Sequence, residues 1–298
     1  MDEMVIDEGW RRLSEADRAR EYSPSSCIDD ISPLLEAYAT RSSAAREACA
    51  SAGLPIVEIR YGPADAQTID LVTPPASGDP TPLVVFLHGG YWQELSKMES
   101  FFAAVDCVNH GIAFAAIDYT LAPAASLDEI VAECANALAV LVSGAGRYDI
   151  DANRIVVTGS SAGGHLAAML GLGIDGWRPA AVALISGIFA LEPLIGTDIN
   201  DAVGLDVEAA HRNSPILAEL QGFPPTLIAH GDVETTQFKR QSAAMATALR
   251  AAGVEVDELE ASARNHFDLV FDLCDHNTEL GRRVLNLVRQ TDPLESPR

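Results

Sequence analysis

Positive charge is scarce in this chain. Lys and Arg number 20 against 43 Asp and Glu, a formal net charge of −23. Phosphate backbones and anionic lipid surfaces are repelled by such a balance, so neither nucleic acid nor a membrane is expected as a partner. A solvated acidic surface accounts for the charge without a dedicated basic partner. Cysteine is also sparse. The five, at 27, 49, 107, 134 and 274, contain no Cys-x-x-Cys pair. That excludes a thiolate zinc site and fits reduced thiols in a reducing compartment. No apolar run approaches the roughly 18 residues of a membrane span. The opening run, Met1 to Glu8, is acidic and lacks the apolar core of a secretory leader. A cytoplasmic protein is the expectation.

At 298 residues, one α/β domain with a large core is expected, rather than two small ones. Residues 1–53 form an N-terminal helical segment with no strands, near the mouth of any site. Its helical stretches, 10–21 and 30–52, are broken at Tyr22-Ser23-Pro24-Ser25-Ser26. Residues 54–298 alternate strand and helix. Strands are expected at 56–61, 67–73, 83–88, 112–118, 154–159, 180–186, 226–230 and 254–260. Helices are expected at about 97–110, 127–143, 162–173, 236–252 and 277–290. The first two strands lack a helix between them and predict an antiparallel edge. The rest predict an eight-stranded, mostly parallel sheet flanked by helices. Residues 190–225 read as a short helical excursion over the carboxyl edge.

The most informative run is Val156-Val157-Thr158-Gly159-Ser160-Ser161-Ala162-Gly163-Gly164. A β-branched stretch enters Gly-x-Ser-x-Gly and leaves as a helix, the context of a nucleophile elbow centred on Ser161. Ser160 is out of frame, since Thr158 and Ala162 stand where it would need glycines. A serine hydroxyl requires a base, and the base an orienting acid. In this type of sheet the chain order is serine, acid, histidine. Of seven histidines, only His266 and His276 follow the last strand. His266 sits in the turn directly after it, whereas His276 falls later. The acid is expected after strand 226–230, where Asp232 and Glu234 both occur. Glu234 is chosen, with Asp232 as the alternative. His88-Gly89-Gly90-Tyr91-Trp92 follows the third strand and predicts an oxyanion hole from the Gly89 and Gly90 amides, joined by that of Ala162. Glycines after a strand also suggest a dinucleotide fold, but Gly-x-Gly-x-x-Gly spacing is missing. No metal or cofactor is called for.

These residues resemble the α/β-hydrolase superfamily, and within it the arylformamidase (kynurenine formamidase) family, with carboxylesterases close by. The likeness runs through His88-Gly89-Gly90-Tyr91-Trp92-Gln93, Tyr22-Ser23-Pro24-Ser25, the stretch 186–194, Arg212-Asn213-Ser214-Pro215, the stretch 238–242 and Asn265-His266-Phe267-Asp268. It implies a nucleophile at Ser161, a base at His266 and an acid at position 234, where the family usually carries aspartate. It implies cleavage of an N-formyl group from an aromatic amine such as N-formylkynurenine, with a small-ester carboxylesterase as the alternative. A ligand receptor that has lost turnover is a further alternative, disfavoured by the complete Ser161, Glu234 and His266 set. Tyr22, Tyr91, Trp92 and Phe189 are expected around the substrate, Tyr22 as part of a lid. For Trp92 and Phe189, core packing is the equal alternative. A small-molecule amide or ester is the expected partner, with a homodimer as the candidate assembly.

Overall fold

The computed structural model describes residues 8–291. Most of the acidic opening run, residues 1–7, lies outside them. After a short 3-10 turn at Glu8–Arg12, the chain forms α1 (Glu15–Glu21) and α2 (Ser32–Ser51). Then come β1 (Ile56–Arg60), β2 (Thr68–Val72) and β3 (Thr81–Leu87), followed by α3 (Ala104–Asn109), β4 (Ala113–Ile117) and α4 (Leu127–Ser143). Next are β5 (Ile150–Ser160), α5 (Ala162–Gly171) and β6 (Ala181–Ile185). The excursion holds α6 (Asn200–Val203) and α7 (Val207–Arg212). The chain closes with β7 (Thr226–Val233), α8 (Thr236–Ala251), β8 (Val256–Asn265) and α9 (Glu279–Gln290).

The eight strands form one sheet in the order β1-β2-β4-β3-β5-β6-β7-β8. β1–β2 and β2–β4 are antiparallel, and every other pair is parallel. The antiparallel edge and parallel body are those the spacing predicted. Alternation along β3 sends Leu83, Val85 and Leu87 into the core beneath α4, α5 and α8. Val84 and Phe86 enter a second core beneath α2, α3 and α9. A strand covered on both faces has no polar side, which is why these runs read as continuously apolar. Capping fixes the helix starts. Ser126 and Glu129 form a reciprocal capping box on α4.

Several boundaries differ from expectation. The helix expected at 97–110 is a 3-10 turn (Lys97–Glu99) and then the short α3. Lys97, in the 3-10 turn, is anchored by its Nζ, which donates to Glu58 and Asp70, both at 2.7 Å. Arg46 on α2 also bonds Asp70 at 2.6 Å and the Lys97 carbonyl at 2.9 Å. β5 begins earlier than expected, and β8 runs on to Asn265 through a polar stretch. A register shift between Gly231 and Val233 carries the β7–β8 pairing to Val233 opposite Asn265. A ladder of backbone bonds needs no apolar side chains, so hydropathy misses this extension.

Lys97 and Asp70 are 6% and 4% exposed. Removing one partner of a buried ion group leaves the other charge poorly compensated. Lys97→Met is expected to lower unfolding free energy by about 3 kcal/mol, as measured by urea denaturation.

Candidate active site

β5 ends at Ser160, and Ser161 turns the chain into α5 with φ 59° and ψ −120°. This left-handed backbone costs a non-glycine residue about 1–3 kcal/mol and persists only when the surroundings enforce it. Here the Ser161 N–H donates to Ile185 O at 2.9 Å, while Ser161 O accepts from His165 N at 3.1 Å. A Cβ at Gly163 would lie 2.0 Å from Leu87 O. Glycine at that position therefore lets α5 press against the end of β3 and hold Ser161 at the cavity floor.

His266 follows β8 directly. Its Nδ1 lies 2.9 Å from Glu234 Oε2, and both groups are buried. Phe238 and Phe267 meet the imidazole edge-on, with ring centroids 4.6 and 5.2 Å away. The other Glu234 oxygen, Oε1, accepts from Ser186 Oγ at 2.6 Å and from Gly231 N at 2.7 Å. Burial pushes this carboxyl up. The neighbouring imidazole and the hydrogen bonds from His266, Ser186 and Gly231 outweigh burial and hold it below its ordinary value. Asp232 faces elsewhere. Its exposed carboxylate is held low mainly by the backbone of Ala263, and by Arg264. Of the two candidate acids, Glu234 is the one beside the imidazole.

Ser161, His266, Gly89 and Gly90 line one cavity of about 640 Å³. Gly90, Tyr91 and Trp92 form a left-handed turn, with φ of 89°, 48° and 61°. Gly90 O accepts from both Gln93 N and Glu94 N, which closes the turn. A Cβ on Gly90 would meet Glu94 O at 2.5 Å. His88 braces the loop from behind. Its ring stacks on Tyr119 at 4.1 Å, and its carbonyl accepts from Tyr119 Oη at 2.9 Å. Ala162 opens α5, so its N–H is one of those a helix start leaves without an intrahelical partner.

The aromatic wall consists of Tyr38, Phe86, Tyr91 and Phe267, of which only Tyr91 was expected. Tyr91 lines the cavity, but Tyr22, Trp92 and Phe189 do not. All three are at most 1% exposed. Tyr22 packs on Phe238 and points its hydroxyl at Gln237 Oε1, 3.4 Å away. Trp92 meets His165 edge-on at 5.0 Å. Phe189 fills the space over Gly187. These large apolar rings gain more from full burial than from a wet wall, and they support the loops from beneath. The N-terminal segment lines the cavity with Ala19, Arg20, the run 23–26, Ile31, Leu35 and Tyr38. Three of its hydrogen bonds reach residues next to the expected site groups. Tyr91 Oη donates to Tyr22 O, Thr235 Oγ1 to Glu21 O at 2.6 Å, and Tyr38 Oη to Phe267 O at 2.8 Å.

Sequence reasoning missed Ser186 and Tyr38. Ser186 directly follows β6 at the same sheet edge as Ser161 and heads the stretch 186–194 of the family likeness, but neither fact marks it as a partner of the acid. Tyr38 lies within the helical stretch 30–52, whose pattern gives no sign that its hydroxyl reaches the Phe267 carbonyl. Among the described residues, no group of three or more His, Cys, Asp or Glu side chains has metal-holding geometry. No helix among them is long and apolar enough to cross a membrane.

The sheet, the strained serine turn and the paired imidazole and carboxylate define a hydrolase of the α/β-hydrolase fold. Residues 69–176 match the BD-FAE family model. The chain is 30% identical over 293 residues to a kynurenine formamidase of Danio rerio, covering 94% of this chain and 98% of that one. It is 30% identical over 212 residues to the carboxylesterase NlhH of Mycobacterium tuberculosis, covering 62% and 65% of the two chains. A crystal structure from Silicibacter sp. TM1040, provisionally described as a thioesterase, superposes with a TM-score of 0.77 at 26% identity. It covers 90% of this chain and 97% of that one. The chain belongs to the kynurenine formamidase family.

Two outcomes follow from this geometry. Glu234→Gln is expected to lower kcat by about 10³-fold or more, while Asp232→Asn stays within about three-fold of the parent. Steady-state kinetics on the two variants checks the order. The second concerns His165, which is fully buried with Nε2 2.7 Å from Asn213 O. Burial pushes this imidazole down from 6.5 to about 4, against the opposing effect of the Asn213 carbonyl. Below pH 6.5 the unfolded chain accepts a proton that the folded one refuses. The His165 contribution to stability is therefore expected to fall by about 3 kcal/mol as pH drops from 6.5 to 4. Urea unfolding across that range should show the slope, and His165→Gln should flatten it.

Proposed function

We propose that this protein hydrolyses the formyl amide of an N-formylated aromatic amine through a Ser161 acyl-enzyme, with N-formylkynurenine as the defining substrate. The match to kynurenine formamidases along nearly the full chain supports the substrate class. The observation that carries the chemistry is the single cavity onto which both Ser161 and the Glu234-backed His266 open.

In this reading Ser161 Oγ attacks the formyl carbon while His266 Nε2 takes the hydroxyl proton. Glu234 Oε2 accepts from Nδ1–H, which fixes the tautomer and stabilises the imidazolium that forms. Amides of Gly89, Gly90 and Ala162 receive the developing oxyanion. Each such donor is worth about 3 kcal/mol of barrier. Collapse of the tetrahedral centre breaks the C–N bond, and His266 returns the proton to the leaving amine. Water, deprotonated by the same imidazole, then attacks the formyl ester and releases formate. About 640 Å³ is ample for an aryl leaving group beside so small an acyl group.

A broad small-ester carboxylesterase is the second reading, favoured by the likeness to NlhH. Cytoplasmic residence belongs to the proposal too, in keeping with five unbridged cysteines. The two substrate readings separate in one assay. Turnover of N-formylkynurenine at a kcat/KM above that of p-nitrophenyl acetate is expected. Brisk ester cleavage with no detectable formate from N-formylkynurenine would leave the esterase. Ser161→Ala should lose about 10⁵-fold or more with either substrate.

A further inference from the structure

One turn at the end of β6 touches both the nucleophile elbow and the acid. Ile185, the last residue of that strand, accepts the Ser161 N–H at 2.9 Å. The next residue, Ser186, sends its hydroxyl to Glu234 Oε1 at 2.6 Å and its N–H to Ala229 O at 2.7 Å. Ser186 has no solvent exposure, and its φ is 47°. That backbone region suits glycine and strains any residue with a Cβ. Were the position needed only to shape the turn, the relaxed residue would be glycine. A serine there holds the strain and adds one thing glycine lacks, a hydroxyl aimed at the carboxylate.

Glutamate needs such a hold. Its side chain has one more rotatable bond than aspartate, so its carboxylate plane is less well fixed by the backbone. Here Oε1 takes two donors from two different strand ends, Ser186 and Gly231. Oε2 is then left to face His266 Nδ1.

We propose that Ser186 is a positioning residue, whose hydroxyl sets the rotamer of Glu234 that presents Oε2 to His266. This rests on the serine-hydrolase reading of the site. The hydroxyl donates and forms no bond to substrate, so its effect passes through Glu234.

Four variants test it: Ser186→Ala, Ser186→Gly, Glu234→Ala and the double variant Ser186→Ala with Glu234→Ala. The assay is steady-state hydrolysis of N-formylkynurenine and p-nitrophenyl acetate by the full chain. Both single Ser186 variants are expected to lose about ten-fold or more in kcat with KM within about two-fold. Ser186→Gly relieves the backbone, so its loss does not come from a damaged turn. In the Glu234→Ala background, Ser186→Ala should cost less than about two-fold, because the group it acts on is gone. A parental kcat for Ser186→Gly, or an undiminished penalty in the Glu234→Ala background, would overturn the assignment. Ser161→Ala is run alongside. If it stays active, the underlying hydrolase reading fails. If it is inactive while the Ser186 variants match the parent, only the positioning role fails.

Discussion

A carboxylate taken out of water has to be answered by donors, and Glu234 is answered on both oxygens. An isolated ion at that depth would protonate or pull the structure apart. Three groups prevent it: the Gly231 amide, the Ser186 hydroxyl and the His266 ring. They come from β7, from the residue after β6 and from the residue after β8. Satisfying one charge therefore fixes the relative positions of three neighbouring strand ends. The Ser161 turn is held by the same β6 edge through Ile185. The strained serine and the buried acid are thus two parts of one hydrogen-bonded rim.

The residues before the first strand belong to that rim as well. Tyr22, Glu21 and Tyr38 are bonded to Tyr91, Thr235 and Phe267 respectively. Each of these partners adjoins a group of the proposed relay: Gly90, Glu234 and His266. A segment tied at three such points is a wall of the cavity as much as a cover for it. It also explains why Tyr22 is buried. Its carbonyl holds the cavity-lining Tyr91, and its ring serves the core.

Much of this was legible from residue order. The elbow, the loop after β3 and the histidine after the last strand all occur where local backbone chemistry forces a recognisable pattern. Gly163 is required by the close approach of Leu87, so its place in the motif carries structural information. Sheet polarity followed from the missing helix between β1 and β2. What stayed hidden depended on groups far apart in sequence. Asp232 and Glu234 are two residues apart, and they fall where two steps of β7, Gly231 to Val233, face four of β8, Ala261 to Asn265, a shift that hydropathy does not show. Trp92 and Phe189 differ from wall residues only in what packs against them. Lys97 lies in a stretch expected to be helical, where two distant carboxylates anchor its side chain.

The order of these parts along the chain has a consequence during synthesis. The wall from Ala19 to Tyr38 leaves the ribosome before Ser161. Glu234 and His266 follow only once most of the polypeptide has been made. Until β8 pairs with β7, the Ser161 cavity lacks the His266 ring and the N-terminal segment has only part of its anchorage. In the proposed reading, a chain cut short before β8 lacks the base and would hydrolyse nothing.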